Sequence, residues 1–279
     1  MRLLLLTVAL LAVPASAAAQ SGPNAREAYV ERRGLLEADA QCRLLSPSIR
    51  DALQVSAAQT RGALLRAGWS NAQMRELENA VVTAARQRAC NDQRTAASVG
   101  SVSRIVAQWV NAGSMEFPGW ERLWIARRIS EGWRLSQAIE GPTPAIFGVR
   151  QAGGAQRLTL AVPISGNAAA PASARLILRD RAQPRSEVSL NQRVARGLEA
   201  GAPPPGVSVM APSTRSIERL GGGRSQALFI FPDSAFRDLI ALDPRETVVI
   251  ELQTGRATQR LLVEVGDVDA ARAFLTIRR

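Results

Sequence analysis

The residues best placed to do chemistry are arginines. Arg175, Arg179, Arg181 and Arg185 all occupy odd positions, so one strand continued through them would present four guanidinium groups on a single face, with Asp180 turned away. Guanidinium forks bind carboxylate and phosphate in bidentate fashion, and this stripe is the candidate anion-binding surface. The alternative is an ordinary solvated sheet face or a charged edge. Carboxylates offer a second chemistry. Glu116, Glu121 and Glu131 surround a segment rich in tryptophan and would line a groove there as acid and base. Glu76 and Glu78 lie two apart on a helix, as do Glu37 and Asp39, and neither spacing puts both side chains on one face. Ser234 follows Asp233 at a strand-to-helix turn, but the Gly-x-Ser-x-Gly frame of a nucleophile elbow is missing.

The composition removes much other chemistry. All 35 basic residues are arginine, and the chain contains neither lysine nor histidine. Serine–histidine and cysteine–histidine nucleophiles are therefore excluded, and so is the commonest transition-metal ligand. Schiff-base lysines and the P-loop lysine are excluded as well. Gly221–Gly223 is a turn, since it precedes a strand instead of following one. No cofactor and no metal are implied. The formal net charge of +11 admits an anionic partner. The arginines are nevertheless spread along the chain, and no nucleic-acid motif is present.

The start of the chain reads as a signal peptide over residues 1–19. Arg2 precedes the apolar run Leu3–Val13, Pro14 breaks it, and Ala15-Ser16-Ala17 offers a small-x-small cleavage pattern. The run is too short to cross a bilayer, and no later stretch approaches the required length. A periplasmic or secreted location follows, and in such a compartment Cys42 and Cys90 pair as a disulfide.

Residues 20–113 read as a helical domain of four helices. The first runs from about Asn24, taken as its N-cap, to Gln41. The second opens at Ser46-Pro47, the third at Ser70 with Gln73 completing a capping box, and the fourth follows Asn91-Asp92. Short connections predict an up-down bundle. In it the first and third helices run parallel, which brings Cys42 and Cys90 to the same end as a staple.

Residues 114–140 form a tryptophan-rich junction. Trp120, Trp124 and Trp133 either make an aromatic platform for a glycan or peptide, or cement the helices to the next domain. Trp133–Ile139 alternates as a strand. Residues 141–279 read as a β-rich domain. Its expected strands are 147–150, 157–163, 175–179, 207–210, 226–231, 247–252 and 257–265, with short helices capped by Asp233 and Asp267. Residues 182–205 fit no regular element. The fold class is α+β: a disulfide-stapled four-helix bundle, then a mostly antiparallel, sandwich-like domain with short helices.

The ending Leu228-Phe229-Ile230-Phe231-Pro232-Asp233-Ser234-Ala235-Phe236, with Val248–Leu252, Val263–Gly266 and Ala270–Phe274, resembles the tail of the invasion-associated locus B–like β-sandwich proteins exported by proteobacteria. The resemblance implies an exported, non-enzymatic sandwich domain with a binding role. It carries over no functional residue. The leading expectation is thus an envelope protein that binds a protein partner or an anionic envelope polymer. The alternative is a carboxylate-based hydrolase acting on envelope glycan.

Overall fold

The computed structural model describes residues 23–164, 169–180, 182, 183, 190 and 208–278. The expected signal peptide, residues 1–19, lies outside them.

Four long helices come first: α1 (Pro23–Cys42), α2 (Pro47–Arg66), α3 (Asn71–Arg86) and α4 (Gln93–Asn111). Their starts follow the capping chemistry of the sequence. Ser46 accepts the Ile49 N–H and Pro47 takes the first helical position. Gln73 N–H donates to Ser70 Oγ at 3.1 Å and Ser70 N–H donates to Gln73 Oε1 at 2.8 Å, closing the capping box. Asp92 accepts the Thr95 N–H at 2.9 Å. Asn24 is not a cap, because α1 already includes Pro23.

The helices do not follow each other around a square. α1 lies centrally, packed along both α2 and α3, while α4 sits against α2 and more lightly on α1. The reason is that α1 is apolar in two directions. Ala25 and Tyr29 pack with Leu64, Leu65, Met74, Leu77 and Val81, whereas Leu35 joins the main core. α1 and α3 run parallel, since Arg33 bonds Glu78 and Glu37 bonds Arg86. The Cys42–Cys90 disulfide closes their shared end, with Cα atoms 5.5 Å apart.

Eleven strands are present among the described residues. They are β1 (Ser114–Pro118), β2 (Leu123–Arg127), β3 (Gly132–Ile139), β4 (Ala145–Ala152), β5 (Ala155–Ile164), β6 (Ser173–Arg179), β7 (Ser208–Pro212), β8 (Thr214–Arg219), β9 (Ser225–Ile230), β10 (Thr247–Thr254) and β11 (Ala257–Glu264). Two short helices, α5 (Asp233–Leu239) and α6 (Val268–Phe274), follow β9 and β11. The strands form one sheet in the order β1-β2-β3-β4-β5-β9-β8 and another in the order β11-β10-β6-β7. Every pairing is antiparallel. Residues 114–140 thus supply the first three strands of the larger sheet. The Phe117–Trp124 pair of the β1–β2 hairpin is fully buried. One core takes Leu53 and Val106 from the helices, Leu135, Phe147 and Phe229 from the larger sheet, and Leu176, Ile250 and Val263 from the smaller.

Polar groups lock these layers together at the end of β11. Gln137 is fully buried, donates through Nε2 to Glu264 O at 3.1 Å and accepts the Glu264 N–H at 2.9 Å. Its amide so replaces one residue of a neighbouring strand. Trp124 Nε1 donates to Glu264 O at 2.9 Å and to Val265 O at 3.0 Å. The Glu264 carboxylate accepts the backbone N–H groups of Trp120, Glu121 and Arg122 at 2.6, 3.0 and 3.0 Å. Gly119 and Gly266 make this approach possible. A Cβ at Gly266, whose φ is +48°, would lie 2.5 Å from the Gly119 Cα.

Three residues after Glu264, Asp267 meets Arg66 of α2 in a buried bidentate pair, with Nη2 to Oδ2 at 2.8 Å. A side chain at Gly62 would collide with that carboxylate. Asp267 therefore occupies the expected cap position of α6, but its side chain caps nothing. Asp233 does not cap α5 either; it stands inside the first turn, with Pro232 before it. A second network joins the α2–α3 turn to the loop before β10. Arg245, fully buried, bonds both Asp243 oxygens at 2.8 Å and the Trp69 carbonyl at 3.1 Å.

Two outcomes follow from this framework. Replacing both cysteines by alanine lowers the unfolding free energy by on the order of 4 kcal/mol, because the bridge closes a loop of 48 residues. Urea denaturation measures this, and a change below about 1 kcal/mol would show that the unfolded chain gains little freedom. The second concerns Asp267. Burial pushes its carboxyl up to about 6, with the Arg66 charge pulling it back only in part. The folded state thus holds the proton more tightly than the unfolded one. The associated stability is present below the ordinary value of 3.8 and is lost as pH rises through about 6. Wild type minus Asp267→Asn should therefore fall in stability by about 2 kcal/mol between pH 4 and pH 7. A difference that stays flat across that range would show that Asp267 titrates alike in both states.

Candidate functional site

The predicted arginine stripe is shorter than the sequence implied. Strand β6 stops at Arg179, where Asp180 accepts the Ala182 N–H at 2.9 Å and its carbonyl accepts the Gln183 N–H at 3.0 Å. An aspartate that bonds the backbone two residues on starts a turn, and the strand cannot continue. Arg181 and Arg185 lie outside the described residues. Arg175 and Arg179 do share a face of β6, turned away from core residues Ala174, Leu176 and Leu178. Both are neutralised by protein carboxylates. Arg175 meets Glu251 at 3.1 Å, and Arg179 bonds both oxygens of Glu246 at 2.8 and 2.9 Å. Glu246 is 2 % exposed, so the second pair is structural.

The tryptophans separate as well. Trp124 is fully buried, Trp133 is half-buried, and Trp120 is exposed at the β1–β2 turn. They form no common platform. Glu116, Glu121 and Glu131 are all exposed. Glu121 and Glu131 flank opposite ends of β2, a strand of five residues. At about 3.3 Å per residue this separates them by roughly 16 Å, beyond the ~5–9.5 Å of a glycosidase pair. Ser234 is exposed in the first turn of α5. Among the described residues no group of three or more His, Cys, Asp or Glu is placed to hold a metal.

A different arginine, Arg134, is without a partner among the described residues. Trp133 pairs with Arg150 and Leu135 with Val149, which leaves Arg134 as the extra residue of a β-bulge. The bulge changes the parity of β3. Leu135 and Ile139 lie in the core and Gln137 is buried beside them, while Trp133, opposite Arg150, is carried to the outer side. Arg134 is thereby aimed into an open cleft of about 540 Å³. The cleft is walled by Ile129 and Ser130 of the β2–β3 turn, by Gln151 and Gln156 of the β4–β5 hairpin, and by Leu275 and Ile277 after α6. Gln151 and Gln156 are cross-strand partners, so their side chains emerge together.

The electrostatics of this cleft are one-sided. Its lining contains two arginines and no acidic residue. Arg128 is held by the fold. It donates to Val110 O at 2.6 Å and to Phe274 O at 2.9 Å, and it stacks 4.0 Å over the Phe274 ring. Arg134 Nε, by contrast, is buried with no hydrogen-bond partner among the described residues. A buried donor without an acceptor costs about 1–3 kcal/mol.

No family model, no curated protein and no solved structure matches the chain.

Sequence reasoning missed this site because strict alternation makes Arg134 an ordinary outward residue of β3. The available signal was Gly132, a glycine at φ +94° beside the strand start, which marks a local irregularity. The two arginines that were legible should separate by stability. Arg179→Gln leaves buried Glu246 without a counter-charge and should cost about 3–5 kcal/mol. Arg175→Gln opens an exposed pair and should cost below about 1 kcal/mol. Chemical denaturation of both variants checks this, and equal losses would contradict a structural role for Arg179.

Proposed function

We propose that this chain is an exported, non-enzymatic binding protein of the cell envelope, and that it takes an anionic ligand at the Arg134 cleft. The observation that carries the reading is a guanidinium with a buried, unpartnered Nε in a cleft without acidic lining. The legible pair Arg175 and Arg179 is already matched to Glu251 and Glu246. Export is supported by Arg2, the apolar run Leu3–Val13, Pro14 and the small residues after it. It is supported too by the Cys42–Cys90 bridge, since such bonds persist in oxidising compartments. Among the described residues no helix is long and apolar enough to cross a membrane. The sequence of the last 55 or so residues resembles the tail of the exported invasion-associated locus B–like proteins. That family resemblance favours binding over turnover, as does the lack of histidine and lysine.

The test is co-sedimentation of the oxidised, leaderless protein with fractionated cell envelope across a salt series. One fraction should retain the protein at low salt and release it as the Debye length shortens from about 10 Å at 0.1 M to about 3 Å at 1 M. Arg134→Gln should weaken that retention. Salt-independent retention, or none at any salt, would overturn the reading.

A further inference from the structure

We infer that the Arg134 cleft recognises the terminal carboxylate of an extended peptide whose last side chain is apolar; this rests on the anion-binding reading above and specifies its ligand. The first argument is the number of free guanidinium forks. Sites for phosphate groups or polyanions gather several, whereas here the Arg128 donors are spent on the Val110 and Phe274 carbonyls, and of the two lining arginines only Arg134 is without a partner among the described residues. One guanidinium fork matches one carboxylate, donating parallel N–H groups to its two oxygens.

The second argument is the apolar part of the lining. Ile129 is 41 % exposed and lines the cleft together with half-buried Leu275 and buried Ile277. A large exposed aliphatic residue beside an unpaired cation suits a ligand that is anionic and apolar within a few ångströms. The third argument is the pair of side-chain amides. Gln151 and Gln156 emerge together across the hairpin, each carrying an N–H donor and a carbonyl acceptor. A peptide bond presents the complementary acceptor and donor, which a fatty acid does not. The cleft volume of about 540 Å³ accommodates a few residues. Capture of a chain terminus by fixed donors is an established recognition mode for peptides in general.

The experiment uses the oxidised, leaderless protein and a fluorescent tripeptide, Ala-Ala-Leu, with its terminal carboxylate free. Fluorescence anisotropy should show saturable binding. The same peptide ending in an amide should bind roughly 10- to 100-fold more weakly, as loss of a charge-assisted bidentate contact requires. Arg134→Gln should weaken the free acid to a similar degree and leave the amide unchanged, and Arg134→Lys should not restore it, because an ammonium cannot form the fork. Ile129→Ala should weaken Ala-Ala-Leu more than Ala-Ala-Ala, a readout that does not depend on Arg134 variants folding. Equal binding of acid and amide would overturn the inference. So would octanoate displacing the peptide at the concentration that unlabelled peptide needs, since the amides would then contribute nothing. If the tripeptide does not bind while Arg134→Gln still lowers envelope retention, this inference fails and the broader reading stands. If Arg134→Gln leaves retention untouched, both fail.

Discussion

The arrangement of this molecule depends on how Glu264 is held. Its N–H and carbonyl are bound by the Gln137 side chain, its carbonyl also accepts the Trp124 indole, and its carboxylate is clamped by three successive backbone N–H groups at Trp120–Arg122. Both sheets meet there, because Gln137 and Trp124 belong to the larger sheet and Glu264 ends the last strand of the smaller. The chain then passes Gly266 against Gly119 and reaches Asp267, which pairs with Arg66 of the helical layer. Four consecutive residues, Glu264 to Asp267, thus connect all three layers. A buried polar network of this kind is costly unless every member is satisfied, and here each named group has its partner. That constraint explains why two glycines, a glutamine and a glutamate are needed at places where apolar residues would otherwise pack.

Arginine does most of this joining. Arg66, Arg179 and Arg245 make bidentate pairs with carboxylates that are themselves buried or nearly so, and Arg128 bonds carbonyls of α4 and α6 while lying on Phe274. Asp243 shows the balance of forces. Burial raises its carboxyl, but the Arg245 and Asn71 hydrogen bonds hold it below the ordinary range. A lysine could not take these positions, since its single ammonium lacks the planar fork. The excess of arginine read from the sequence as a candidate ligand surface is therefore in good part a set of crosslinks. Net charge alone does not distinguish the two uses; that depends on where each carboxylate comes to rest.

What was legible in the sequence was local. Ser46-Pro47, Ser70 with Gln73, and Asp92 mark helix starts through contacts made within four residues, and all three helices begin there. The pairing of Cys42 with Cys90, 48 residues apart, was legible from their places at the ends of two helices expected to run parallel, and β4, β5, β10 and β11 lie where strands were expected. The Asn24 and Asp233 caps and the turn at Asp180 fail locally; the other failures are non-local. Strands β1 and β2 were hidden because Pro118-Gly119 reads as a break, although the close approach of Gly119 to Glu264 and Gly266 is what the glycine serves. Asp267 has the residue type of a cap, yet its partner lies 201 residues away. Arg179 and Arg181 share parity, but Asp180 ends the strand between them.

The bulge at Arg134 belongs to the same class and has the largest consequence. Gln137 must face inward to reach Glu264, and Leu135 and Ile139 must accompany it into the core. Unbroken alternation would carry Trp133 inward too. Inserting Arg134 turns Trp133 to the outer side, opposite Arg150, and leaves a guanidinium at the rim with no ladder partner. The cleft is in this sense produced by the lock: the geometry that satisfies Glu264 at one end of β3 creates the unsatisfied donor at the other. An apolar side chain at position 134 would meet the register requirement without a buried N–H, so the register does not account for arginine there; the anionic ligand proposed above would.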